Sequence, residues 1–383
     1  MLPRRLSCLL LLLAASAEAV PSIGRRRGNS STGVSSRKLN PHKDDLYPDA
    51  PQEKLIWEEN FDQLDLSVWD HMVTGWRGGN KEFQYYRNDR RNSYVEDGIL
   101  HIVPTLTADE YGEEFLYNGT LSYPGCNQKP CESTSSPDIV LPIQSARIRT
   151  QKSFGFRYGR VEVRAKLPQG DWLWPAIWMK PVENYYGWWP SSGEIDLVEA
   201  RGNKRLFNSK GVSVGVDRMG STLHYGPNAT YNTWRPTHWE MTLEGSGRDF
   251  SDDFHLFGME WTRNSITFTV DDEIIGSVTP PSGGFWAIGG FDKDPGGRNI
   301  WENGEYLAPF DREFFFVLNV AVGGTFFPEN FKNEAYPRPW YLSSKHPMRD
   351  FWERRKLWYP TWDPKDSALR VDYIRVYKWI NGE

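Results

Sequence analysis

Cysteine is scarce: of three in 383 residues, Cys8 falls in an amino-terminal export segment, leaving Cys126 and Cys131 as a pair five apart. That pair suits one small-loop disulfide in an oxidising compartment, with metal binding by only two cysteines the weaker alternative. Long apolar runs are missing too. Beyond the first 20 residues no stretch of 18 apolar residues occurs, so no membrane-spanning helix is expected. Positive charge is short in the body of the chain. The first 50 residues hold eight Lys/Arg against four Asp/Glu, and the remainder, with 37 basic and 46 acidic residues, carries a net charge of −9. A nucleic-acid partner would need a basic stripe, and an acidic body argues against one without excluding a neutral polysaccharide. There is no internal repeat, no second domain boundary and no long amphipathic helix apart from a short candidate near Met348 to Trp358.

Aromatic residues, in contrast, are abundant. Eighteen Trp, 18 Tyr and 20 Phe exceed what core filling requires. Aromatic faces are platforms for flat, weakly polar ligands such as sugars, although a Trp-rich β core would absorb about half of the Trp residues.

The amino terminus reads as a secretory signal. Arg4 and Arg5 precede an apolar core from Leu6 to Ala15, and Ala17-Glu18-Ala19 is a small-residue cleavage pattern. Residues 1–19 are therefore assigned to a signal peptide, with a secreted, extracellular product. Residues 20–50, including Arg25-Arg26-Arg27, lack periodic apolar positions and are assigned to a disordered basic leader. Sequons at Asn29, Asn118 and Asn228 are candidate glycosylation acceptors in such a product.

Residues 51–383 carry short β-favouring runs separated by turn residues. Ile56 to Phe61, Gly98 to Val103, Arg160 to Lys166, Ser265 to Val270, Glu273 to Val278 and Leu369 to Trp379 read as strands. Phe314 to Val322 is almost continuously apolar, as in a strand buried on both faces. Many short strands without strand–helix alternation predict an all-β antiparallel sandwich or jelly roll in a single domain, with Ala108 to Pro142 as a long loop upon it.

Within that pattern, Gly193-Glu194-Ile195-Asp196-Leu197-Val198-Glu199 places three carboxylates in six residues of an apolar run. Side chains alternate along a strand, so Glu194 and Asp196 share a face while Glu199 should point the other way. One extra residue, a β-bulge at Leu197-Val198, would return Glu199 to that face. Acids on a solvated strand face are ordinary, yet no basic residue is interleaved among these, and clustered carboxylates with separated pKa values are an arrangement for acid/base chemistry. Upstream, Trp172, Trp174 and Trp178 are evenly spaced and would share one face of a regular strand, flooring a cleft beside the acids.

The acid motif, with Trp172-Leu173-Trp174-Pro175-Ala176-Ile177-Trp178 before it, resembles the signature of glycoside hydrolase family 16, and most closely its animal β-1,3-glucanases and lipopolysaccharide- and β-1,3-glucan-binding proteins. Supporting matches include Glu82-Phe83-Gln84-Tyr85-Tyr86, Gly220 to Pro227 and Leu318 to Gly324. The resemblance covers roughly residues 52–379. It implies a concave, concanavalin A-like β-jelly roll that binds β-1,3-glucan, with lipopolysaccharide a further candidate partner, and hydrolyses the glucan with retention of configuration. Glu194 matches the nucleophile, Glu199 the general acid/base and Asp196 the assisting carboxylate. His224 falls in a motif that contacts sugar, and Asn80, Glu82, Trp172 and Trp174 are further binding candidates. No cofactor and no metal ligands are expected, a structural Ca²⁺ being allowed by resemblance alone. The family's insect recognition proteins carry an additional amino-terminal module and typically lack one or more of the acids, whereas all three stand here. The Glu-Ala-Arg-Gly-Asn continuation nevertheless resembles the crustacean binding proteins, leaving hydrolysis and recognition both open.

Overall fold

The computed structural model describes residues 53–243, 245, 247–293 and 297–380. Residues 1–19, read from the sequence as a signal peptide, residues 20–50, read as a basic leader, and Asn29 all lie outside the described residues.

Two antiparallel sheets form the body of the protein. The first has eight strands, running in space from Glu273–Val278 through Ile266–Val270, His255–Trp261, Gly159–Lys166, Leu369–Trp379 and Ile99–Ile102 to Ser93–Glu96, with Glu53–Glu59 also paired to Leu369–Trp379. The second has seven, ordered His238–Thr242, Arg218–His224, Glu194–Ala200, Leu173–Pro181, Phe314–Val322, Arg147–Arg149 and Asp70–His71. This is the all-β jelly-roll sandwich the turn-punctuated runs predict.

Local chemistry accounts for the strand boundaries. Gly159–Lys166 alternates buried and half-buried without a break, its valines facing the core and its charged residues solvent. Asp271 and Asp272 both adopt positive φ (50° and 69°), turning Ile266–Val270 back into Glu273–Val278. Phe314–Val322 is buried at every position, lying centrally in its sheet between Leu173–Pro181 and Arg147–Arg149. The short helical candidate becomes Pro347–Glu353 followed by Arg355–Trp358, burying Met348, Phe351, Trp352 and Trp358.

Ala108 to Pro142 departs from the expected loop. It contains helices Ala108–Tyr111 and Glu113–Asn118 and a small hairpin of Thr120–Ser122 with Glu132–Thr134. Scattered apolar residues, Leu116, Leu121, Ile139 and Val140, anchor it to the core and give it order that no periodic run announced. Cys126 and Cys131 form the expected disulfide at the hairpin end. Asn118 and Asn228 are both exposed.

Candidate functional site

The acids stand on the outward face of the seven-stranded sheet, placed there by the bulge. On one side Asp196 pairs with Thr222 and Glu199 with Gly220, so Leu197 and Val198 together oppose the single residue Ser221. On the other side Ile177 faces Val198 while the next residue, Trp178, faces Asp196, leaving Leu197 unmatched. The Ser221 hydroxyl donates to the Leu197 carbonyl at 2.7 Å and ties the irregular backbone down. Ile195, Leu197 and Val198 all point into the core. Glu194, Asp196 and Glu199 consequently share one face, the step from Asp196 to Glu199 spanning three residues rather than two.

Pairing across the sheet sets the surroundings of each acid. Glu240, Gly220, Glu199, Ala176, Asn319 and Arg147 form one transverse row, and His238, Thr222, Asp196, Trp178, Val317 and Arg149 the next. Gly220 and Ala176 flank Glu199 with almost no side chain.

Glu199 is held by Trp174, whose indole N–H donates to Oε1 at 3.0 Å. The Trp174 ring stacks on Phe326 at 4.1 Å, and the Arg201 guanidinium lies 3.9 Å over the other ring of that pair, so the indole is fixed. Burial pushes the Glu199 carboxyl above its ordinary range; the Glu194 charge adds to this, while His224 and the Trp174 N–H pull it back. Asp196 is driven well above its ordinary range by burial first, then by the charges of Glu199 and Glu194. Its Oδ2 is buried without a hydrogen-bond partner. His224 presents Nε2 to that atom at 3.4 Å, while Asn232 engages Nδ1 on the far side of the ring.

The Trp174 contact gives a test. Trp174→Phe removes a donor that stabilises ionised Glu199, so the Glu199 pKa should rise further. Carbon-13 magnetic resonance of the Glu199 carboxyl should show its titration midpoint at higher pH in the variant than in the wild type. A downward shift would contradict the contact.

Asp196 gives a second. A carboxyl raised in the folded state binds more protons there than in the unfolded chain between its two pKa values, so it costs stability as pH rises through that window. Asp196→Asn should match the wild-type melting temperature near pH 4 and exceed it by about 2 °C or more at pH 7, read by circular dichroism. A difference independent of pH would refute this.

Three binding candidates need correction. Trp172 adopts φ 68° just before the strand begins at Leu173, so even spacing does not carry it onto the face of Trp174 and Trp178. It is wholly buried against Phe327 and Trp340. Glu82 is also buried, accepting from Gln84 and Tyr86, the latter bonded to Arg147, which reaches Asn319 and through it Trp178; its carboxylate is committed to protein partners. Trp174 is 9% exposed with Phe326 covering its ring, and so positions Glu199 instead of offering an open platform. Asn80 stays half-buried at the rim, bonded to Thr325. Conversely, spacing gave no role to Trp189 and Trp234, which flank His224 with ring centroids at 5.9 and 6.4 Å. Trp189, 38% exposed, offers the open aromatic surface expected of Trp174.

Comparison with known proteins agrees with this geometry. Residues 128–285 match the model for glycosyl hydrolases family 16. The chain is 43% identical over 348 residues to a β-1,3-glucan-binding protein of Penaeus monodon, covering 86% of this chain and 91% of that protein. It is 34% identical over 346 residues to Gram-negative bacteria-binding protein 1 of Drosophila melanogaster, spanning 65% of that longer protein. Among solved structures it is similar to the laminarinase from Rhodothermus marinus, with a TM-score of 0.55 and 27% identity over 87% of this chain and all of that one.

Proposed function

The chain belongs to glycosyl hydrolases family 16, alongside the animal β-1,3-glucan-binding proteins, and on that premise we propose that it is an exported β-1,3-glucan-active protein that cleaves the polymer internally with retention of configuration. The observation that carries the reading is the bulge at Leu197-Val198, which puts Glu199 on the face of Glu194 and Asp196. A chain that only gripped sugar would have no need of a carboxyl pushed above its ordinary range beside two others.

In the proposed reaction the Glu194 carboxylate attacks the anomeric carbon, forming a glycosyl ester. The bond to the glycosidic oxygen breaks, and that oxygen takes the proton of Glu199. Water then enters, giving a proton to Glu199 and its oxygen to the anomeric carbon, and Glu194 is released. Glu199 needs to be protonated for the first half, which its raised pKa supports. Asp196, its carboxyl pushed well above the ordinary range by burial and by the Glu199 and Glu194 charges, adds less repulsion at Glu194 than an ordinary aspartate.

Recognition of fungal β-1,3-glucan or bacterial lipopolysaccharide, with little or no turnover, is the second reading. It is favoured by the names of the Penaeus and Drosophila relatives. A reducing-sugar assay on laminarin separates the two. Turnover by wild type supports the first, and none by a folded protein that binds laminarin supports the second.

A further inference from the structure

We propose that Glu194, Asp196 and His224 form a binding site for one zinc ion. Ligand atoms of these three side chains lie within 4.8 Å of one another, and among the described residues no other group of three His, Cys, Asp or Glu has such a geometry. Proximity alone would mark only an acidic cluster. Two further features make it a site.

The first is the Asp196 carboxylate. Its side chain is 5% exposed, and Oδ2 has no hydrogen-bond donor although it points at His224. A buried oxygen left unpaired in this way is costly unless something electropositive comes to it. The second is the orientation of the imidazole. Asn232 occupies Nδ1, leaving Nε2 directed at the unpaired oxygen. A histidine fixed through one ring nitrogen by an amide, with the other turned to a carboxylate, has the outer-shell support found around metal-ligating histidines.

The spacing favours zinc. Two ligands held at about 2.0–2.1 Å across a tetrahedral angle lie roughly 3.3 Å apart. Nε2 and Oδ2 are separated by 3.4 Å. An imidazole joined by two carboxylates suits zinc better than magnesium or calcium, which take oxygen shells. His224 is 19% exposed, so solvent reaches the open side for a fourth ligand. The ion would bind Glu194 directly. On the hydrolytic reading above, zinc is therefore a reversible inhibitor that holds the nucleophile.

Zinc chloride titrated calorimetrically into chelator-treated, dialysed full-length protein tests this without requiring turnover. We expect one zinc per chain, binding at least tenfold weaker in His224→Ala and in the near-isosteric Glu194→Gln, and unchanged in His101→Ala. Magnesium chloride should give no comparable heat. Zinc bound equally by all four proteins, or no tighter than magnesium by wild type, overturns the site. Because binding is read by heat, a protein that holds zinc but leaves laminarin intact would refute the hydrolytic reading and leave this one standing.

Discussion

Exchanging neighbours across the bulge, as Val198→Glu with Glu199→Val, should destabilise the fold severely and abolish any turnover, although composition and charge are unchanged. Val198 is wholly buried, so the exchange drives a carboxylate into the core without a partner, at a cost of about 3–5 kcal/mol. It also takes the acid off the face it shares with Glu194 and Asp196. Deleting Val198 should be far milder. Leu197 would then oppose Ser221 and Ile177 alone, with Asp196 still opposite Thr222 and Glu199 still opposite Gly220 and Ala176. The strand becomes regular and Glu199 keeps its face, at the expense of roughly 1.5–3 kcal/mol of lost burial. Thermal melts and a laminarin assay on both variants check the pair of outcomes. An unfolded deletion beside a well-folded exchange would show that the pairing does not control where Glu199 points.

Glu194→Gln should lower laminarin turnover on the order of 10⁴-fold or more, since an amide cannot form the glycosyl ester. Laminarin affinity should stay within about tenfold, because shape and hydrogen-bonding capacity are largely kept. Melting temperature should hold or rise, as the Glu194 charge that disfavours ionisation of Asp196 and Glu199 is removed. Calorimetric titration with laminarin alongside the activity assay separates the two effects. Turnover surviving in Glu194→Gln would remove Glu194 from the nucleophile's role.

What the sequence reveals of this site depends on whether the determinant is local. The parity of Glu194, Asp196 and Glu199 along a strand is a property of six consecutive residues, and it forced a bulge that the pairing contains. Alternation in Arg160 to Lys166 and the apolar run of Phe314 to Val322 were equally local, which is why the body of the sandwich was legible. Trp172 shows the opposite case. Its even spacing from Trp174 carried meaning only if the backbone between them was extended, and φ 68° at Trp172 ends the strand there.

Contacts between distant segments were hidden for another reason. His224 meets Asp196 only because their strands are neighbours, and nothing in either segment specifies the distance or the vacant oxygen between them. A metal-ligating set split between two strands leaves no compact motif, so the sequence suggested no metal ligands at all. Glu82 stood as a sugar-binding candidate through the Glu82-Phe83-Gln84-Tyr85-Tyr86 match. Its buried carboxylate is instead taken up by Gln84 and Tyr86, the latter held in turn by Arg147.

The stereochemistry of cleavage tests the central claim most directly. Proton magnetic resonance on laminari-oligosaccharides mixed with the wild-type protein reports which anomer is released first. Glu194 acting as nucleophile with Glu199 as acid and base predicts the β-anomer, with the α-anomer appearing only by later mutarotation. Initial release of the α-anomer, or no cleavage by folded protein that binds the oligosaccharide, would contradict it.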